Sequence, residues 1–207
     1  MTVATTRSCG GGGEWADYLA IDRLTVSERL YRVTRRDKEL AACYAEDAQI
    51  RTSWQSGDVR SFVGRRPADA AGGLPNVNRN SGALIYQNGH KAFVEYPSTT
   101  TRGVMINGKE AVLTSYMRLL YRVEKRGSVW KITQMTSVSE YDQLAPAAPG
   151  TDLGIDPAEL KGLRPSYRWL AYSRKQAGGT VSDDEFGTDR PDEINRLYEE
   201  SFEWLNA

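Results

Sequence analysis

Apolar and polar positions alternate most persistently between Lys91 and Gln143, a stretch dense in Val, Ile, Thr, Tyr, Phe and Trp. Such residues fit a pleated, half-buried surface. Asn107-Gly108 and Arg126-Gly127-Ser128 interrupt the run with residues that tolerate positive φ, and both predict hairpin turns. Three consecutive antiparallel strands follow from this pattern: Lys91–Met105, Glu110–Lys125 and Val129–Asp142. Each is long against a common strand of about 5–6 residues, and a long antiparallel strand twists and curls. A curled sheet needs a helix, a ligand or both in its concave face. In the middle strand Leu113, Ser115, Met117, Leu119, Tyr121 and Val123 share one face, which looks packed. Val112, Thr114, Tyr116, Arg118, Leu120 and Arg122 share the other. That second face mixes apolar with polar, as a pocket wall or a half-wet outer face would.

Helical spacing dominates the chain before this sheet. Glu14 to Asp37 reads as helix, with Trp15, Tyr18, Leu19 and Asp22 in register. Thr25-x-x-Glu28 resembles a capping box that opens a second helix, whose buried side is Leu30, Tyr31 and Val33. A third helix is expected over Lys38 to Glu46, with Leu40, Cys43 and Tyr44 buried. Gln49 to Trp54 and Ser81 to Gln87 read as strands, Gly64 to Leu74 as a short helix, and the segment from Pro75 to Asn80 as turns. After Leu144 the composition shifts to the Pro- and Gly-rich APAAPGTDLGIDP, a linker. Two helices follow, Pro165–Gln176 and Asp192–Asn206, around the acidic loop GGTVSDDEFGTDRPD. The expected organisation is a disordered tail over 1–13, an α+β unit over 14–144, and a linker with a helical C-terminal extension over 145–207. In the α+β unit, helices cover one side of a curved antiparallel sheet.

Composition narrows the function classes. The 207 residues carry 27 basic and 27 acidic side chains, with no basic block that would suggest nucleic acid. No apolar run approaches the roughly 20 residues of a membrane span. The opening MTVATTRSCGGGGEW has no apolar core of a secretory signal, so a cytoplasmic location is expected. Cys9 lies in a Gly-rich tail and Cys43 in an apolar helical pattern, which argues against a disulfide framework. The single histidine, His90, sits in the turn after Asn88-Gly89, and no Cys/His cluster or Gly-rich phosphate loop occurs. Neither a metal nor another cofactor is expected.

The segments SERLYRVTRRDKELAACYAEDAQI, WQSG and GVMINGKEAVLTSYMRLLYRVEKRGSVWKITQM resemble the nuclear transport factor 2-like superfamily, within it the SnoaL-like branch, over residues 17–143. The resemblance implies a cone-shaped α+β barrel with a deep apolar cavity between helices and sheet. It implies an activity drawn from dehydratases, dehydrohalogenases, isomerases, cyclases and cofactor-free lyases, or a non-catalytic dioxygenase subunit. The tail resembles that of members from bacteria that degrade aromatic compounds. Dehydratase-type members place a catalytic Asp where this chain has Val33 or Thr34, with Asp37 one turn later. They place a His where this chain has Asn76 to Asn80. Their Asp–His dyad is therefore absent or relocated.

Tyr- and Arg-rich candidates remain. Tyr116, Arg118 and Asn78 are the expected catalytic groups, with Tyr31, Thr34, Asp37, Arg51, Trp54, Tyr96 and Gln134 as substrate contacts. Ser53, Asn80 and Arg102 are further polar candidates. An arginine beside a tyrosine can lower its pKa and can hold a phenolate or oxyanion, and Trp54 can stack on an aromatic ring. The expected function is a cofactor-independent lyase on a bulky aromatic molecule, losing water or a small carbonyl such as formaldehyde, as from a lignin-derived diaryl compound. The alternatives are an accessory subunit or small-molecule binder, and an isomerase or polyketide cyclase. The expected partner is a hydrophobic aromatic substrate, with neither nucleic acid nor membrane, in a homo-oligomer of two or three chains.

Overall fold

The computed structural model describes residues 12–65 and 76–207. Most of the expected N-terminal tail, with Cys9, and the expected helix from Gly64 to Leu74 beyond residue 65 lie outside the described residues. Two helices open the fold, α1 (Gly12–Thr34) and α2 (Asp37–Cys43), followed by β1 (Tyr44–Thr52) and β2 (Gln55–Asp58). β3 (Asn76–Asn80) and β4 (Leu84–Asn88) precede the three long strands β5 (Lys91–Ile106), β6 (Lys109–Arg126) and β7 (Val129–Pro146). The tail ends in α3 (Arg168–Gln176) and α4 (Pro191–Asn206).

The expected break in the first helix is absent. The Thr25 hydroxyl donates to the carbonyls of Asp22 at 3.0 Å and Ile21 at 3.3 Å, a back-bond within a continuing helix. Glu28 turns inward instead of capping, and the buried side of α1 is Ile21, Thr25 and Glu28, while Leu30 stays exposed. Asp17 anchors the start of α1 by accepting from Lys125 at 2.7 Å and from the Trp130 ring at 2.8 Å. Asn76–Asn80, expected as turns, is a strand paired along Ser98–Arg102.

The strands form one sheet in the order β2-β1-β7-β6-β5-β3, with β4 also on β5. The β1–β7 pairing is parallel, so the sheet is mixed rather than wholly antiparallel, and it is curved without closing into a barrel. Asn107 and Gly108 both take positive φ, 49° and 75°, as the tight β5–β6 hairpin requires. Between β6 and β7 the register slips at two places, leaving Thr133 and Glu140 as extra residues on β7. Such bulges bend a strand and deepen its twist.

Both faces of the sheet are covered. The concave face packs on α1 through Ile50, Tyr96, Leu119, Tyr121 and Met135, and farther along on α3 through Val104, Leu113, Leu170 and Tyr172. The convex face packs on α4, where Phe93, Leu120 and Val138 meet Ile194, Leu197 and Leu205. The tail therefore wraps the sheet, with one helix on each side. No helix among the described residues is long and apolar enough to cross a membrane.

Candidate functional site

A cavity of about 130 Å³ opens on the concave face between α1, α3 and the sheet. Trp54, Phe62, Met117 and Leu170 give it an apolar wall, and Thr52, Asn78, Thr100, Ser115 and Ser137 add neutral polar groups. Four arginines also line it, Arg29, Arg32, Arg102 and Arg174. Among the described lining residues there is no carboxylate, imidazole or thiol.

Arg29, Arg32 and Arg174 are each held by their own contacts. Arg29 comes from α1, one residue after Glu28, and the two side chains form a salt bridge. Glu28 is 0% exposed and also accepts from the Tyr44 hydroxyl at 2.8 Å and the Tyr121 hydroxyl at 3.0 Å. Burial pulls the Arg29 pKa down, but the Glu28 carboxylate and its hydrogen bonds hold it well above the usual guanidinium value. Burial pushes both tyrosines well above the ordinary phenol range, and the Glu28 charge adds to it. They act here as neutral donors.

Arg32, one turn on from Glu28, donates to the Phe62 carbonyl at 3.0 Å and lies over the Phe62 and Trp54 rings at 4.1 and 4.9 Å. Those two rings stack at 5.5 Å and 26°. The Arg32 cation thus rests against both rings of this aromatic pair.

Arg102 is buried on β5, and Arg174 reaches in from α3 and donates to the Ser53 carbonyl. α3 is fixed by Asp142, a buried β7 carboxylate that accepts from the backbone N–H groups of Trp169 at 3.1 Å and Leu170 at 2.7 Å. Burial raises the Asp142 pKa against those bonds. Asn78 donates to Thr100 Oγ1 at 2.8 Å and Ser98 Oγ at 3.1 Å, which fixes its amide at the wall.

The structure gathers Asn78, Trp54, Ser53 and Arg102 of the expected residues around the cavity. Val33 also lines it, so the apolar side chain faces the cavity where the resemblance implied a carboxylate.

It places Tyr116 and Arg118 elsewhere. Odd-numbered β6 residues from Ser115 to Leu119 face the cavity, so the even-numbered ones face outward. Tyr116 is 37% exposed and stacks on Tyr141 at 6.1 Å. Arg118 contacts Tyr198 of α4 at 2.6 Å, Glu140 at 2.9 Å and Glu95 at 3.2 Å. The mixed face is the outer one, and Arg118 docks α4.

Gln134 pairs with Arg122 on that same outer face. Arg51 donates to the Asp184 carbonyl at 2.7 Å and covers the Phe186 ring. Tyr96 is buried in the α1 core, where burial raises its pKa. Tyr31 lies under Arg36, the Thr34 hydroxyl donates to the Leu30 carbonyl at 2.7 Å, and Asp37 begins α2. None of these six residues, from Gln134 to Asp37, is among those lining the cavity.

The pattern offered a signal for two of the missed residues: Glu28 falls one turn after Thr25 on the buried side, and Arg32 one turn after that. Arg174 carried no such signal, because it comes from a tail that the sequence pattern presents as an appendage. Cys43 is buried, with its thiol pushed up to about 11 by burial and by Glu28.

No profile of a known protein family matches the chain. A PEP2-like protein of Fusarium vanettenii is 26% identical over 92% of this chain and 88% of its own length. Among solved structures, a hexachlorocyclohexane dehydrochlorinase of type 2 matches with a TM-score of 0.55 at 13% identity, over 68% of this chain and 97% of its own. A type 3 dehydrochlorinase from Novosphingobium barchaimii gives 0.54 at 13% identity, over 69% and 97%. A proposed scytalone dehydratase from Novosphingobium aromaticivorans gives 0.50 at 16% identity, over 67% and 96%. These folds are spanned almost whole by about two thirds of the chain. The chain has the nuclear transport factor 2-like fold, with N-terminal helices on a curved, open, mixed sheet and added C-terminal helices.

Proposed function

We propose that the cavity holds a small planar anion and that the protein acts on it as a cofactor-free lyase, expelling water or a small carbonyl by elimination. The observation that carries this reading is the wall itself: four arginines, of which Arg29 is paired with buried Glu28, beside Trp54 and Phe62, with no carboxylate among the described lining residues. Guanidinium groups bind carboxylates and enolates through paired N–H donors. Held in place beforehand, they stabilise an oxyanion more strongly as charge develops on it. Trp54, half-buried at the wall, supplies an aromatic surface beside these charges. A cavity of about 150 Å³ accepts one benzene ring, so the volume here suits a one-ring substrate better than a diaryl compound. The likeness to proteins named as a dehydratase and as dehydrochlorinases supports elimination as the reaction type.

A second reading, a non-catalytic binder, is favoured by the lack of a described imidazole or carboxylate on the wall that could serve as base. Incubation with 3-hydroxy-3-phenylpropanoate, followed by mass spectrometry and by absorbance of the conjugated alkene, separates the two. Formation of cinnamate supports the lyase. Calorimetric binding of trans-cinnamate without turnover of any arylpropanoate supports the binder. Absence of both binding and turnover removes both readings.

A further inference from the structure

Glu185 lies in the loop between α3 and α4, and the backbone register fixes its direction. Gly187 forms a parallel bridge with Ser139 of β7. The Ser139 N–H donates to the Phe186 carbonyl at 2.9 Å, and the Thr188 N–H to the Ser139 carbonyl at 3.0 Å. The last β1–β7 pair is Arg51 with Thr136, so this loop continues along β7 where β1 leaves off. Phe186 packs on the convex-face cluster. By alternation, residues 185 and 187 point to the concave side. The surroundings of Gly187 agree: a Cβ there would fall 2.2 Å from Ser166 Oγ, just ahead of α3. Glu185 thus enters between the end of β1 and α3, the two elements that bring Ser53 and Arg174 to the cavity.

The residue is 7% exposed, and its Oε2 atom is buried without a hydrogen bond. The charged groups around it are Arg51 from β1, Arg174 from α3, Arg164 ahead of α3 and the adjacent Asp184. Of these, Arg174 lines the cavity. Solvation of the Glu185 charge is poor, and an anion at the cavity would compete with it for Arg174.

We propose that Glu185 is the proton-exchanging group of this cavity: it takes up a proton when an anion settles beside Arg174 and releases it when the anion leaves. The inference rests on the anion reading of the cavity. In the step a solvent proton bonds to the Glu185 carboxylate, no other bond changes, and the Arg174 charge turns to the ligand. Burial pushes the Glu185 carboxyl up to about 7, against the opposing pull of Arg51 and Arg174, so both forms coexist near neutral pH. Above that pH the free protein holds Glu185 charged, each anion must bring a proton, and affinity falls. Below it the carboxyl is already neutral and affinity is flat.

The test is calorimetric titration of the full chain with trans-cinnamate at pH 6, 7 and 8, in two buffers of different ionisation enthalpy. Wild type should take up about half a proton per cinnamate at pH 7 and close to one at pH 8. Its affinity should fall about tenfold between pH 6 and pH 8. Glu185→Gln should take up none and should keep the pH 6 affinity throughout. Cinnamate binding equally at pH 6 and pH 8 without proton uptake overturns the proposal, as does a wild-type pH profile in Glu185→Gln. Because the buffer comparison uses wild type, it decides the matter even if the variant folds poorly. Failure of cinnamate to bind wild type at pH 6 overturns the anion reading of the cavity itself, and this inference with it.

Discussion

Glu28→Gln is the perturbation with the largest consequence for the cavity. The residue has no exposed surface, bridges Arg29, and accepts from two tyrosine hydroxyls. Removing one partner of a buried ion pair costs about 3–5 kcal/mol, because the other charge is left without compensation. Glutamine keeps one carbonyl acceptor for a tyrosine, so the low end, about 3 kcal/mol, applies here. With a urea m-value of about 2–3 kcal/mol/M, the unfolding midpoint should fall by about 1–1.5 M. Equilibrium urea unfolding, followed by tryptophan fluorescence and far-UV circular dichroism, measures it. The double variant Glu28→Gln with Arg29→Met should recover much of the loss, since the stranded charge is gone. A single variant within about 1 kcal/mol of wild type, well under that cost, would refute the assignment of Glu28 as the counter-ion that holds Arg29 at the wall.

Gly187→Ala places a methyl 2.2 Å from Ser166 Oγ and 2.5 Å from the Asp189 carboxylate. It should destabilise by about 1–3 kcal/mol, the usual range for overpacking, and a thermal melt checks it. Asp189 is held at about 2 by hydrogen bonds from Arg164 and Ser166. A depressed carboxylate contributes stability that is present above the unfolded value of about 4 and lost as pH falls through about 2. After discounting for solvent screening this is about 1 kcal/mol, and Asp189→Asn should lose that part of the acid dependence in melts from pH 5 to pH 2. Arg118→Ala should loosen α4, raising amide hydrogen exchange over Pro191–Asn206. Tyr116→Phe should leave cinnamate affinity unchanged, since its side chain lies across the sheet from the cavity.

The long strands were legible because hairpin chemistry and alternation act locally. Lys91–Ile106, Lys109–Arg126 and Val129–Pro146 begin and end within a few residues of where Asn107-Gly108 and Arg126-Gly127 place them. The tail helices were legible from spacing and from Pro191. What alternation could not supply is which face of β6 looks inward, since both carry apolar and polar residues. That choice depends on the partners each face meets, α1 on one side and α4 on the other, and α4 lies 73 positions beyond Arg118 at its start. The parallel β1–β7 pairing and the β3 strand depend on equally distant partners. Thr25-x-x-Glu28 misled because the same residues that cap a helix can also stay within one, when a buried cation waits for the glutamate. The cavity was half visible, in Trp54, Asn78 and Arg102. Arg29 and Arg174 join them only once α1 and α3 fold over the sheet.

Comparison of trans-cinnamate with trans-cinnamamide, near-isosteres that differ in charge, tests the central claim most directly. Calorimetry at pH 6 should show wild type binding the acid at least about tenfold tighter, or about 1.4 kcal/mol, with the preference reduced in Arg174→Gln. Equal affinities, or a preference for the amide, would contradict a cavity built for negative charge.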